Sequence, residues 1–163
     1  MERLGVDIGG VVIEGVSAAA DTSFFSDNYL NTPALPGVIA ALRWLSEERF
    51  GKNIFLVSKC GTKTEARTRE WLKLHRVYAR SGLSPERLYF CRKREDKAPI
   101  CRKLGITHFV DDRLEVLGHL ETVPHRFLFK PQEAEVALFA RHLPDVTRVE
   151  TWGEALGHLL HEG

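Results

Sequence analysis

Short apolar runs alternate along the chain with longer segments in which apolar residues recur at every third or fourth position. β-Branched and aromatic residues are frequent in the runs, which is typical of strands, and the longer spacing predicts amphipathic helices. The predicted strands are Leu4–Ile8, Asn53–Val57, Leu88–Cys91, His108–Val110, Arg126–Phe129 and Thr147–Glu150. The predicted helices are one that begins at Pro36-Gly37 and the segments Thr62–His75, Asp96–Leu104, Leu114–Leu120, Pro131–His142 and Thr151–His161.

Strands that alternate with helices predict a mostly parallel sheet covered on both faces, a three-layer α/β/α Rossmann-like fold. The 163 residues suffice for a sizeable core, and we expect residues 1–163 to form a single domain. Residues 14–35 interrupt the alternation, because they are rich in small and polar residues and show no period. We expect this insert to be a very small cap or flap over the mouth of a site.

The composition is that of a globular protein without a membrane span. Hydrophobic residues make up 44% and charged residues 28% of the chain, and no apolar run approaches the ~20 residues that cross a bilayer. Cys60, Cys91 and Cys101 are odd in number and lack the spacing of a zinc site or a disulfide framework. Because the N-terminus also lacks a signal-peptide pattern, we expect a cytoplasmic protein that does not bind membranes.

The charge is distributed unevenly although the net charge is only +1. Residues 59–103 contain 14 Lys or Arg and 5 Asp or Glu, whereas the rest of the chain contains 9 and 17. Such a basic segment predicts a positive field that attracts anionic substrates and is compatible with nucleic-acid binding. Solvated helix faces would explain the same pattern equally well.

Two of the predicted strands end in residues suited to a ligand-binding or catalytic site. Asp7 lies at the end of the first strand and precedes Gly9 and Gly10, which let the backbone approach a ligand closely. In open α/β sheets, ligands bind beyond the carboxyl ends of the strands. The second strand is followed by Ser58 and Lys59 at the start of a helix, where a hydroxyl, an ammonium and free backbone N–H groups form an anion site.

Two adjacent carboxylates, Asp111 and Asp112, follow the fourth predicted strand. Together with Asp7 they would offer the hard oxygen ligands that Mg²⁺ prefers. Lys97 precedes the helix that leads into this strand and can direct a cation into the same crevice. Each residue alone is also typical of a cap, a turn or a surface position. Their combination, in this order and on these elements, predicts a catalytic site.

Four short motifs resemble those of the haloacid dehalogenase (HAD) superfamily. The first runs from Asp7 to Val12, where an aspartate after an apolar strand is followed two residues later by Gly-Gly-Val-Val. The other three are a strand that ends in Ser58, the lysine Lys97 before a helix, and the acidic pair that follows Phe109-Val110. The small insert makes the chain similar to the members with a small cap or none.

The resemblance implies a phosphohydrolase. Asp7 would be the nucleophile and would form an aspartyl-phosphate that water hydrolyses. Ser58 would hydrogen-bond the phosphoryl oxygens, with Gly10 and Lys59 beside the phosphate. Lys97 would stabilise the negative charge shared by Asp7 and the phosphate.

The resemblance also implies a Mg²⁺ ion and a phosphorylated substrate, either a small molecule or a larger phosphorylated partner. The ion would bind the Asp7 carboxylate, the backbone carbonyl of Gly9 and Asp111, together with Asp112. The flap is small, so the site is expected to be open enough for a large substrate.

Gly9 is the departure from the family pattern. The phosphatases of the family carry at this position an aspartate that protonates the leaving oxygen and later activates water. General acid–base catalysis contributes about 10²–10⁴-fold, so we expect slow or specialised turnover. Three outcomes fit: a substrate with a good leaving group such as an acyl phosphate, a domain that binds phosphate without turnover, or an acid supplied by the flap, from Glu14, Asp21 or Asp27.

Two other interpretations compete with a HAD-like phosphohydrolase. The segment from Leu4 to Gly10 also resembles the first phosphate motif of sugar kinases in the actin-like ATPase superfamily, although that motif usually has Thr or Ser where this chain has Val11. The second interpretation is a catalytically impaired HAD-like module that binds a phosphorylated ligand or a nucleic acid and acts in regulation.

Overall fold

Six parallel strands form one sheet in the computed structural model, which describes residues 1–15, 24 and 26–161. The strand order is β3-β2-β1-β4-β5-β6, and every neighbouring pair is parallel. This confirms the predicted α/β fold. The strands are β1 Leu4–Val6, β2 Ile54–Lys59, β3 Leu88–Cys91, β4 His108–Asp111, β5 His125–Phe129 and β6 Thr147–Val149.

Helices cover both faces of the sheet because alternate strand residues point to opposite faces. Ile54 and Leu56 of β2 belong to one core, whereas Phe55 and Val57 of the same strand belong to another. The first core is completed by α1, α2, α3 and α7, and the second by α4, α5 and α6. The helices are α1 Val38–Leu45, α2 Thr62–Leu74, α3 Val77–Ser81, α4 Lys97–Leu104, α5 Leu114–His119, α6 Glu133–Leu138 and α7 Trp152–His161.

The strand order reverses at β1, which pairs with β2 on one side and with β4 on the other. In an open parallel sheet, the crevice beyond the carboxyl ends of the strands at such a switch point is where ligands bind. All three residues of β1 are buried. The chain therefore emerges from the centre of the sheet directly into that crevice.

Gly5 in the middle of β1 makes room for an aromatic ring. A Cβ atom at this position would lie 2.5 Å from Cδ2 of Phe109, whose side chain is fully buried on β4. The same ring is 5.5 Å from Nζ of Lys97. Gly5 thus allows the central strands to pack closely just below the candidate site.

Several predicted boundaries were wrong. The predicted helix Pro131–His142 ends at Leu138, because Phe139 leaves helical geometry and a 3₁₀ helix follows at Ala140–Asp145. The pattern also missed α3, which is separated from α2 by Arg76 in a left-handed conformation. The first strand ends at Val6, and the second continues to Lys59.

Part of the predicted insert at 14–35 is described. Residues 16–23 and 25, including Asp21, lie outside the described residues. The end of the insert packs on α2, since Nε1 of Trp71 donates to the carbonyl of Thr32 at 2.8 Å and the hydroxyl of Tyr29 donates to Glu70 at 2.7 Å. No described helix is long and apolar enough to cross a membrane.

We predict that Gly5→Ala lowers the free energy of unfolding by about 1–3 kcal/mol, because its methyl group would overpack the buried Phe109 ring. Gly157→Ala is the matched control. Gly157 is exposed within α7 and a Cβ atom there would meet nothing within 4 Å, so this change should stabilise by up to about 1 kcal/mol. Chemical denaturation measures both values, and equal effects of the two changes would contradict the packing account.

Candidate active site

Asp7 follows β1 and enters the crevice at the switch point. Its backbone N–H donates to the carbonyl of Val110 on β4 at 2.9 Å, so the pairing of β1 with β4 continues one residue past the strand. The residue is only 7% exposed, which is low for an aspartate. A carboxylate this buried requires polar partners.

A tight turn follows Asp7. The carbonyl of Ile8 accepts hydrogen bonds from the N–H groups of Val11, Val12 and Ile13, and Gly10 has a φ of 80°. A Cβ atom at Gly10 would lie 2.4 Å from Oδ2 of Asp112. Both conformation and space therefore require glycine at this position.

Gly9 is under no such constraint. Its φ is not positive, it is exposed, and an added Cβ atom would meet nothing within 4 Å. The site therefore has room for a side chain at the position where the sequence resemblance led us to expect an acid. Packing does not explain this glycine.

Lys97 is the first residue of α4 and connects two of the strand ends. Its Nζ donates to Oδ1 of Asp7 at 2.9 Å and to Oδ2 of Asp111 at 2.8 Å, and its side chain is 2% exposed. Burial alone would lower the pKa of Lys97, but the charges of Asp111 and Asp7 and their hydrogen bonds raise it above its usual value. The lysine is therefore charged at neutral pH.

Asp111 and Asp112 complete an acidic triad with Asp7. Ligand oxygens of the three residues lie within 4.8 Å of one another. Asp111 ends β4, is 1% exposed and accepts the backbone N–H of Arg113 at 3.0 Å. Burial, followed by the charges of Asp7 and Asp111, raises the pKa of Asp112, and burial together with Asp7 raises that of Asp111.

The triad suits a hard divalent cation. It contains three carboxylates and one ammonium, so when all are ionised two negative charges remain. Oxygen donors and an excess of negative charge are what Mg²⁺ requires, and burial together with the neighbouring negative charges raises the pKa values of Asp111 and Asp112. The residues present therefore fit the predicted magnesium ion.

The end of β2 forms one wall of the site. Ser58 is 6% exposed, Lys59 is exposed, and both line the same cavity as Asp7. The N–H of Cys60, which precedes the helix start, is already paired because it donates to the carbonyl of Cys91 at 3.0 Å. Burial also raises the pKa of the Cys60 thiol, which stays protonated and is a poor nucleophile at neutral pH.

All of the predicted site residues line one cavity of about 430 Å³. This volume is typical of sites for small ligands. The predicted residues in its lining are Asp7, Gly9, Gly10, Ser58, Lys59, Lys97, Asp111 and Asp112, together with Glu14 of the predicted insert. Asp27, the other described carboxylate that we considered as an acid, is exposed and is not part of the lining.

The sequence analysis missed four cavity residues that carry useful chemistry. They are Phe24, Arg94, Arg113 and Gln132. Arg94 lies three residues before Lys97 and Arg113 directly follows the acidic pair, so proximity to the motifs would have identified both. Phe24 and Gln132 are close to no motif, and only the fold brings them to the cavity.

Several arginines of the basic segment 59–103 form ion pairs or hydrogen bonds within the protein. Arg69 and Arg92 both pair with Glu65, at 3.2 and 2.9 Å. Arg67 donates to the carbonyls of Phe24 and Ser26. These contacts explain part of the positive charge without a nucleic-acid partner.

Comparison with known proteins supports the fold. No protein-family model and no curated protein sequence matches this chain. Among solved structures, the chain is similar to a Vibrio cholerae protein assigned as a 3-deoxy-D-manno-octulosonate 8-phosphate phosphatase. The sequence identity is 17% and the TM-score is 0.55, and the match covers 98% of this chain and 81% of the other. At this identity, the similarity establishes a common fold.

We predict that Asp112→Asn stabilises the metal-free protein at pH 7 by about 1–2 kcal/mol, because asparagine is neutral, whereas Asp112 must either take up a proton or be repelled by the other two carboxylates. A raised pKa means that the native protein loses stability as the pH rises from about 4 towards neutrality, and the variant should lose less. The same change should reduce the stabilisation that Mg²⁺ confers.

Thermal and chemical denaturation with and without Mg²⁺ measure both effects, and Asp145→Asn is the control because Asp145 is exposed and lies outside the cavity. A variant that is less stable without metal, or that responds to Mg²⁺ as the native protein does, would contradict the electrostatic account.

Proposed function

We propose that the chain is a Mg²⁺-dependent phosphohydrolase of the haloacid dehalogenase type, with Asp7 as its nucleophile. The main support is the ammonium of Lys97, held between Asp7 and Asp111 with Asp112 beside them, at the switch point of a parallel sheet. The similarity of the fold to that of a protein assigned as a phosphatase agrees with this function class.

In the first step, a carboxylate oxygen of Asp7 attacks phosphorus, and the bond from phosphorus to the leaving oxygen breaks. Two anions approach each other in this step, and Lys97 offsets their repulsion because its ammonium stays on the Asp7 carboxylate. The hydroxyl of Ser58, buried at the end of β2, donates a hydrogen bond to a phosphoryl oxygen. The product is an aspartyl-phosphate.

The triad and the carbonyl of Gly9 would hold Mg²⁺. When bound, the ion supplies charge neutralisation on the phosphoryl oxygens. The chain itself supplies the nucleophile, the ammonium and the hydroxyl. These groups come from β1, α4 and β2, so the sheet fixes their relative positions.

Water hydrolyses the aspartyl-phosphate in the second step and restores the Asp7 carboxylate. Both steps benefit from an acid–base group, which gives a proton to the leaving oxygen and takes one from water. Gly9 cannot fill this role. Among the described flap residues, Glu14 lines the cavity, and its backbone is fixed by a hydrogen bond from its N–H to the carbonyl of Pro33 at 2.9 Å.

We therefore assign the acid–base role to Glu14. The segment that carries it folds back over the glycines of the first motif, since Ile13 forms a bridge with Gly9 and a Cβ atom at Gly15 would lie 3.6 Å from Cα of Gly10. A flap residue is less well positioned than a residue of the turn itself. Turnover is accordingly slow for poor leaving groups and faster for good ones such as acyl phosphates.

A binding module is the second candidate function, and the unconstrained glycine at position 9 favours it. In this case the site binds a phosphorylated ligand and does not turn it over. A nucleic acid is the less favoured ligand because Arg67, Arg69 and Arg92 already have partners within the protein.

We predict that Asp7→Asn abolishes Mg²⁺-dependent hydrolysis of a panel containing an acyl phosphate, a nitrophenyl phosphate and alkyl phosphates. Gly9→Asp should accelerate hydrolysis of the alkyl phosphates by about 10- to 1,000-fold, because an acid is restored at a position with free space. The rate of phosphate release, measured with and without Mg²⁺, tests the effects of both substitutions.

Turnover that survives in Asp7→Asn would refute the nucleophile. A native protein without turnover, whose Gly9→Asp variant is active, would establish an assembled site without its acid, and the binding module would then be the better account.

We predict that Glu14→Gln lowers kcat/KM for alkyl phosphates by about 10- to 100-fold and lowers it much less for an acyl phosphate, whose leaving group needs no proton. Asp27→Asn is the control, because Asp27 belongs to the same insert but lies outside the cavity lining. Introducing Gly9→Asp into Glu14→Gln should restore activity. A uniform loss across leaving groups would indicate that Glu14 contributes to binding instead of proton transfer.

A further inference from the structure

The cavity has a second charged wall that the phosphoryl-transfer chemistry does not use. Arg94 belongs to the 3₁₀ turn before α4, and Arg113 lies between β4 and α5. Both side chains line the cavity that contains Asp7. Neither contacts an atom of the acidic triad through its side chain among the described residues.

Arg94 is incompletely satisfied. Its Nη1 lies 3.4 Å from Oε1 of Glu115, a long contact, and its Nε is buried and has no hydrogen-bond partner among the described residues. A buried N–H donor without a partner costs stability. A ligand that accepted a hydrogen bond from Nε of Arg94 would remove this loss of stability.

Arg113 is free to bind. The residue is exposed, and no described residue forms an ion pair with it or accepts a hydrogen bond from its side chain. Arg113 and Arg94 line the same cavity, and Glu115, which pairs with Arg94, is two residues from Arg113 in the sequence. Each guanidinium presents its N–H donors in a planar fork that matches the geometry of a carboxylate or a phosphate.

The phosphoryl group at Asp7 does not need this wall. In the proposed function it already has Lys97, Ser58 and Lys59, and the triad would hold a divalent cation beside it. A cavity of about 430 Å³ also has space for more than a phosphoryl group.

We propose that Arg94 and Arg113 bind a second anionic group of the substrate, so that the preferred substrates are phosphomonoesters that carry a carboxylate or a second phosphate. This inference rests on the proposed function for the phosphoryl group and deepens it by naming a substrate class. The two arginines are specificity residues: they contact the remote anion and leave the reacting atoms to Asp7, Ser58 and Lys97.

The test uses matched pairs of substrates. Phosphorylated hydroxy acids of two to six carbons are each compared with the phosphorylated polyol of the same length, and the bisphosphate of that polyol forms a third arm. We expect kcat/KM to be higher for at least one acid or bisphosphate than for its polyol monophosphate. The preferred arm then identifies the second anion as a carboxylate or a phosphate.

Removing the guanidinium groups should abolish the preference. In the double variant Arg94→Gln/Arg113→Gln, the ratio of kcat/KM for the anionic member to that for the polyol member should fall by about tenfold or more. Arg113→Gln alone tests the same effect at an exposed position where folding is not at risk. The control is Arg102→Gln/Lys103→Gln, which removes the same charge from exposed positions outside the cavity and should leave the ratio unchanged.

Binding measurements separate failure of this inference from failure of the proposed function. The same pairs are titrated calorimetrically onto Asp7→Asn protein with Mg²⁺, where no turnover is required. Tighter binding of the anionic member that is lost in Arg113→Gln supports the second-anion wall even if the native protein turns over no phosphate. Equal affinity and equal kcat/KM within every pair, or the same loss in the control variant, would overturn it.

Discussion

The ammonium of Lys97 is the contact on which the site depends. It lies between Asp7 and Asp111 at 2.9 and 2.8 Å, and so joins the ends of β1 and β4 through the first residue of α4. Three carboxylates within 4.8 Å of one another would be too costly to bury without it. The negative charge that remains lowers the stability of the metal-free fold and is also what would attract a divalent cation. The same carboxylates therefore lower the stability of the metal-free protein and form the proposed metal site.

Glycine occupies the two neighbouring positions of the first motif for different physical reasons. Gly10 has a positive φ and lies against Asp112, so the fold itself requires it. Gly9 has an ordinary conformation and free space around it, so its lack of a side chain affects the chemistry and not the packing. In the proposed mechanism the nucleophile Asp7 has its partners in place, whereas the acid–base role falls to Glu14, which lies outside the turn of the first motif. Because the acid–base group is the less well positioned one, we expect the leaving group of the substrate to determine the rate of hydrolysis.

The fold was predictable from the sequence because parallel strands leave a strong pattern of apolar runs and turns. The grouping of Asp7, Lys97, Asp111 and Asp112 followed from the rule that strand ends meet at one edge of a parallel sheet. The second wall of the cavity was not predictable in this way. Arg94 and Arg113 are ordinary arginines in a basic segment and after an acidic pair. They are distinguished by their common cavity, by the buried, unpartnered Nε of Arg94 and by the absence of a side-chain partner for Arg113 among the described residues. The break after Leu138 was missed because the apolar spacing continues through Phe139.

Trapping the covalent intermediate would test the central claim most directly. The protein is mixed with an acyl phosphate and Mg²⁺, quenched in acid, reduced with borohydride to convert any aspartyl-phosphate to homoserine, and mapped by peptide mass spectrometry. Our account predicts homoserine at position 7, dependent on both Mg²⁺ and the acyl phosphate. Modification at another residue, or release of phosphate with no modification of Asp7 at any quench time, would contradict it.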